Sequence, residues 1–128
     1  MSPEDTIRLQ HMLDAAREVG EFVGDSSFEE FCKNRLLVNG VVRSLEVIGE
    51  AAAQLSAELK QSLKEIPWRD IVSMRNRLVH AYFDIDYNVV WRTVKNDVPM
   101  LIGQLKLVFE KTTGGDARNI RNEGSTMT

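Results

Sequence analysis

Apolar residues recur along this chain at steps of three and four, and no segment alternates with a period of two. Leu9, Met12, Leu13, Ala16, Val19 and Val23 form the first such stripe, which predicts an amphipathic helix of about twenty residues. Ahead of it, Ser2-Pro3-Glu4-Asp5 reads as a capping box with proline in the first turn. Gly24-Asp25-Ser26-Ser27 breaks the pattern, and Ser27 with Glu30 predicts a second capping box before a short turn of helix through Phe28 and Phe31. A third helix, roughly Leu36 to Leu55, places Leu37, Val41, Leu45, Ile48, Ala52 and Leu55 on one side.

Ser56 to Leu63 adds a short helical stretch, and Ile66-Pro67-Trp68 is a turn whose proline is placed to open a helix from about Trp68 to Ala81. Asp84-Ile85-Asp86 supplies caps for a last long helix from Tyr87 to about Lys111. Its apolar positions, Tyr87, Trp91, Val94, Val98, Leu101, Leu105 and Val108, are spaced for antiparallel packing in a bundle. Pro99 lies inside it and is expected to kink or locally break it. From Thr112 the pattern stops, so residues 112–128 are expected to form a disordered tail behind a folded domain of residues 1–111. The fold class is all-α, an antiparallel bundle of four to five helices.

Length and composition narrow the chemistry. A chain of 128 residues with 43% apolar residues is one domain able to bury its own core. Cys32 is the only cysteine, which excludes an internal disulfide framework and a thiolate zinc site. His11 and His80 are the only histidines, too few for a histidine-rich metal cluster. Thus neither metal nor cofactor is expected. No apolar run is long enough to span a membrane, and the acidic start Met1-Ser2-Pro3-Glu4-Asp5 lacks the basic opening of a signal peptide, so the cytoplasm is the expected compartment. With 16 Lys+Arg against 19 Asp+Glu, the net charge of −3 argues against a broad, sequence-blind nucleic-acid binder.

One stretch stands apart: Met74-Arg75-Asn76-Arg77-Leu78-Val79-His80-Ala81-Tyr82-Phe83. Arginine offers a fixed fork of donors that matches phosphate, and a histidine gives or takes a proton near neutrality. Between Trp68 and Phe83, Arg69, Arg75 and Arg77 face only Asp70, so the local balance is basic although the chain is acidic. Arg75 and His80 are separated by about 140° around an ideal helix, so one site holding both requires a helix that ends near His80 or a second chain that completes the cleft. Two copies about a twofold axis are the economical solution. The chemistry leaves a plainer reading open, in which His80 interacts with the helix dipole, the arginines are solvated, and Tyr82 and Phe83 are core anchors.

On the third helix, Asn39, Arg43, Glu46 and Glu50 fall within a narrow arc and form a polar ladder. One reading is a solvated face with pairing of Asn39 to Arg43 and a mildly unfavourable Glu46–Glu50 contact. The other is a face that lines the site or meets a partner's arginines. His11 reads as an ordinary surface residue and Cys32 as a small buried apolar group.

Arg75-x4-His80-x-Tyr82, set in Met-Arg-Asn-Arg-Leu-Val-His-Ala-Tyr-Phe, resembles the Arg-x4–6-His-x-Tyr signature of HEPN-superfamily ribonucleases, and more narrowly the HepT toxins of HepT–MntA toxin–antitoxin pairs. Leu45-Glu46-Val47-Ile48-Gly49-Glu50-Ala51 and Ile66-Pro67-Trp68 are also similar to HepT sequences, and the likeness runs from about residue 5 to 110. The resemblance implies a HEPN-like fold and a homodimeric, metal-independent endoribonuclease acting on RNA. His80 would be the general acid/base for attack by the ribose 2′-hydroxyl, Arg75 would stabilise charge on the phosphoryl oxygens, and Asn76 would position the backbone or His80. Tyr82 would be the residue that a nucleotidyltransferase antitoxin modifies with AMP. Arg77 also fits a phosphate contact but lacks the motif spacing. The alternative is a non-catalytic HEPN module that binds nucleotide or protein and scaffolds a nucleotidyltransferase partner. The Arg75 and His80 pair favours the enzyme, because a scaffold needs no titratable group there.

Overall fold

The computed structural model describes residues 1–80 and 84–120, with the side chains of residues 79, 80 and 112–120 left outside the description. Helix α1 (Pro3–Val23) begins as the sequence predicts, with the Ser2 hydroxyl accepting from Asp5 N–H at 3.1 Å. The reciprocal half of that capping box is not made. The Asp5 carboxylate instead crosses to Ser56, accepting from its N–H at 3.1 Å and its hydroxyl at 2.6 Å. A residue distant in sequence thus wins over the local partner, because Asp5 faces inward and is buried. At the far end the chain leaves the helix through Gly24, at φ +50°, where a side chain would be strained.

Helix α2 (Phe28–Lys33) starts with both bonds of the Ser27/Glu30 capping box. Asn34 ends α2 and also caps α3 (Arg35–Gln54), accepting from Leu37 N–H at 3.0 Å. Helices α1 and α3 run antiparallel. Arg8 Nη1 donates to the Gln54 carbonyl, the Ser44 hydroxyl donates to Glu18, and Gly40 faces the Phe22 ring. The expected stripe of α3 is buried except for half-buried Leu37, and Val38, Val42 and Ala51 are buried as well. α3 packs on both α1 and α5, so its apolar face is wider than a single-neighbour stripe.

Ser56 caps the short α4 (Ala57–Ser62), and Trp68 braces the following turn by donating Nε1–H to the Leu63 carbonyl at 3.0 Å. Helix α5 (Trp68–His80) follows Pro67, whose carbonyl accepts from Ile71 N–H. Asp86 caps α6 (Tyr87–Arg92), accepting from Asn88 and Val89. A π-helical segment, Thr93–Asp97, then leads into α7 (Val98–Ile120). The break expected near Pro99 therefore takes the form of this π segment. Proline has no N–H for the carbonyl four residues back, and Val98 N–H bonds five residues back to the Thr93 carbonyl.

Phe31 is fully buried against Trp91 and Tyr87, with ring centroids 5.2 and 6.4 Å away, which pins α2 to α6. The main helices, α1, α3, α5 and the α6–α7 run, enclose a core centred on Leu9, Met12, Val19, Val41, Val90 and Leu105. The all-α bundle is as expected. Its last helix differs from the expected end at Lys111, continuing to Ile120. No proline follows Pro99 to stop the hydrogen-bond ladder, and Gly114 and Gly115 cost only about 1 kcal/mol each. The rest of the expected tail, residues 121–128, lies outside the described residues. Among the described residues no helix is long and apolar enough to cross a membrane.

Candidate active site

The site begins with how α5 meets α3. Arg75 is half-buried, whereas its neighbours Asn76 and Arg77 are exposed. Gly49 on α3 explains the difference. A Cβ placed there would lie 2.6 Å from Arg75 Cγ and 3.3 Å from its Cα, and nearer still to its Cβ. The α3 backbone therefore runs directly beneath the first carbons of the arginine. Gly20 and Gly103 have nothing within 4 Å of a built Cβ, and Gly40 meets only the Phe22 ring at ordinary contact distance. Gly49 lay within the Leu45–Ala51 block noted from sequence, but nothing in the chain's order indicated what it touches.

The Arg75 guanidinium is held at Nη1 and buried at Nε. Nη1 donates to Asn76 Oδ1 at 2.9 Å. Nε is buried with no hydrogen-bond partner. Among the described residues no carboxylate forms an ion pair with it. A buried donor without an acceptor costs about 1–3 kcal/mol, and an unpaired half-buried cation favours an anion that completes it. The contact that the structure gives Asn76 is thus to Arg75.

Arg77 sits differently. It is exposed and lines a small cavity of about 150 Å³ with Leu78, Asp84, Ile85 and Asp86, and among the described residues it forms no ion pair with either aspartate. Its Nη2 approaches Met74 Sδ at 3.9 Å, a weak contact. Of the two arginines, Arg75 is the one whose stem packs on α3 and whose Nε is buried without a partner. His80 is the last residue of α5; its side chain and the whole of Tyr82 lie outside the described residues.

The polar ladder of α3 is not one unit. Arg43 pairs with Glu46 at 3.9 Å, three residues on, and not with Asn39, which is exposed. Opposite charge one turn away outcompetes a neutral amide and also relieves the Glu46–Glu50 repulsion from within the helix. Glu50, half-buried, lines a groove of about 410 Å³ between α1 and α3 with Arg8, His11 and Gln54. His11 is exposed on that groove and Cys32 is half-buried against the core.

Comparison with known proteins adds to this geometry. The family model described as ribonuclease HepT-like matches residues 12–108, a span that includes Gly49, Arg75, Asn76 and His80. The chain belongs to the HepT-like ribonuclease family. It is similar to a Thermococcus cleftensis protein provisionally named ribonuclease HepT, 40% identical over 103 residues that cover 80% of this chain and 90% of that one. A protein of Caldanaerobacter subterraneus subsp. tengcongensis, provisionally named an RNase, is 38% identical over 103 residues, 80% of this chain and 92% of the relative. One from Methanocaldococcus jannaschii, also provisionally named an RNase, is 37% identical over 100 residues, 78% of this chain and 92% of the relative. No solved structure matches the chain significantly. In this HepT-like ribonuclease, then, the motif arginine is seated on a glycine of the neighbouring long helix.

Proposed function

We propose that this HepT-like ribonuclease is the toxin of a HepT–MntA type pair, an endoribonuclease that needs no metal and works as a homodimer. The observation that carries the reading is the Arg75 guanidinium: half-buried, fixed at Nη1 by Asn76, unpartnered at Nε, and five residues before the one histidine of the motif. That is a cation already oriented for phosphate, so little ordering is lost on binding.

Cleavage follows from these parts. The ribose 2′-oxygen attacks the adjacent phosphorus while His80 takes its proton. The bond from phosphorus to the 5′-oxygen breaks, and the proton is delivered to that oxygen as it leaves. The products are a 2′,3′-cyclic phosphate and a free 5′-hydroxyl. Arg75 neutralises the charge that builds on the non-bridging oxygens. Two copies about a twofold would set two basic motifs at one cleft, concentrating positive charge that a single acidic chain lacks. AMP placed on Tyr82, two residues from His80, would bring a bulky anion to that cleft and repel RNA, which is how a nucleotidyltransferase antitoxin would silence it.

The test is cleavage of total cellular RNA by wild type and His80→Ala at matched concentration. The variant is expected to lose cleavage and growth arrest while keeping its helical circular-dichroism spectrum. Cleavage by the variant at the wild-type rate would overturn the assigned mechanism.

A further inference from the structure

We infer that Gly49 is a positioning residue for Arg75, its missing side chain being what lets α5 dock with the arginine's Cα, Cβ and Cγ against the α3 backbone. This rests on the ribonuclease reading, in which Arg75 meets the scissile phosphodiester. A methyl group at position 49 would overlap the stem of Arg75 at its Cβ and Cγ, and the nearer of these, Cβ, is fixed to the α5 backbone and cannot swing aside as the end of a flexible side chain can. Relief requires either lifting this part of α5 off α3 or rotating α5 about its axis. Both move the guanidinium, together with its α5 neighbour Asn76, away from the place against α3 where Nε is buried. Leu78, buried on the same helix, and the core residues Leu45, Ile48 and Ala52 around Gly49 resist a wholesale shift, so the displacement falls on the arginine.

Gly49 does not touch the reacting atoms. It acts through Arg75, and its replacement should therefore mimic loss of the arginine and leave proton transfer by His80 alone. The substrate is a labelled random-sequence oligoribonucleotide pool, with thermal melting followed in parallel. Wild type, Arg75→Ala, Gly49→Ala and the pair Gly49→Ala/Arg75→Gly are compared across pH.

Gly49→Ala is expected to stay folded and to cleave about a hundredfold more slowly, with the wild-type pH profile preserved in the residual rate. A folded Gly49→Ala that cleaves at the wild-type rate overturns the inference, and so does one whose pH profile moves. If Gly49→Ala fails to fold, the pair variant decides. Removing the side chain at position 75 relieves the overlap, so recovered melting supports the contact, and unrecovered melting overturns it. Wild-type cleavage by Arg75→Ala would instead bring down the ribonuclease assignment of Arg75, an outcome separate from any result at Gly49.

Discussion

Replacing Asp5 with alanine should destabilise the whole bundle although Asp5 lies in the first turn of the first helix. Its carboxylate accepts from both the N–H and the hydroxyl of Ser56, 51 residues away, and so ties the start of α1 to the cap of α4. Hydrogen bonds to a charged acceptor contribute about 1.5–3 kcal/mol each, and water recovers part of the loss at half-exposed Ser56, so a net cost of about 3 kcal/mol is expected. For a domain of this size that is a fall in Tm of about 10 °C. The carboxyl is held below its ordinary value of 3.8, first by the Ser56 hydroxyl bond, against the opposing effect of burial, and then by the Ser56 N–H, the Ser2 hydroxyl and the Arg8 charge. A lowered folded-state pKa stabilises above the unfolded value, and that contribution is lost as pH falls through the folded one. Urea unfolding of wild type and Asp5→Ala at pH 7, and again below pH 3, measures both effects. The gap should be wide at pH 7 and should narrow in acid. A gap under about 0.5 kcal/mol at pH 7, or one that does not change with pH, would refute the reasoning.

Two further outcomes bear on the chemistry. RNA cleavage should persist in excess EDTA, because an acid/base histidine and a fixed arginine supply both the proton transfer and the charge neutralisation; loss of cleavage restored only by added Mg²⁺ would count against the 2′-hydroxyl scheme. Co-expression with a MntA-like nucleotidyltransferase should add AMP mass to the wild-type chain but not to Tyr82→Phe, read by intact-mass spectrometry, and an unmodified wild-type chain would remove Tyr82 from the proposal.

The aspartate and the glycine teach the same lesson from opposite sides. Asp5 reads in the sequence as part of a cap, and half of that reading holds, since its N–H does bond Ser2. Its carboxylate could not be placed, because Ser56 is a neighbour only after α1 and α3 have folded antiparallel. Gly49 stands in the sequence only as one residue of the Leu45–Ala51 block, and a glycine inside a helix costs about 1 kcal/mol relative to alanine. Its use appears only once α5 lies across it. The ladder on α3 shows a third case: steps of four, three and four residues put Asn39, Arg43, Glu46 and Glu50 on one arc, but packing sent them to different surroundings.

By itself the sequence determined what is local or periodic. The 3.6-residue period set the helices and most of their buried faces, Ser2, Ser27 and Asp86 set their starts, Pro99 set the break ahead of α7, and the Arg75, His80 and Tyr82 motif together with the Leu45–Ala51 and Ile66–Trp68 blocks carried the family. Each of those rests on residues within one or two turns of one another. Tertiary structure alone decided which arginine is seated with its Nε buried, which glycine seats it, and where the buried aspartate finds its partners. These depend on distances between helices far apart in the chain, which no local pattern encodes.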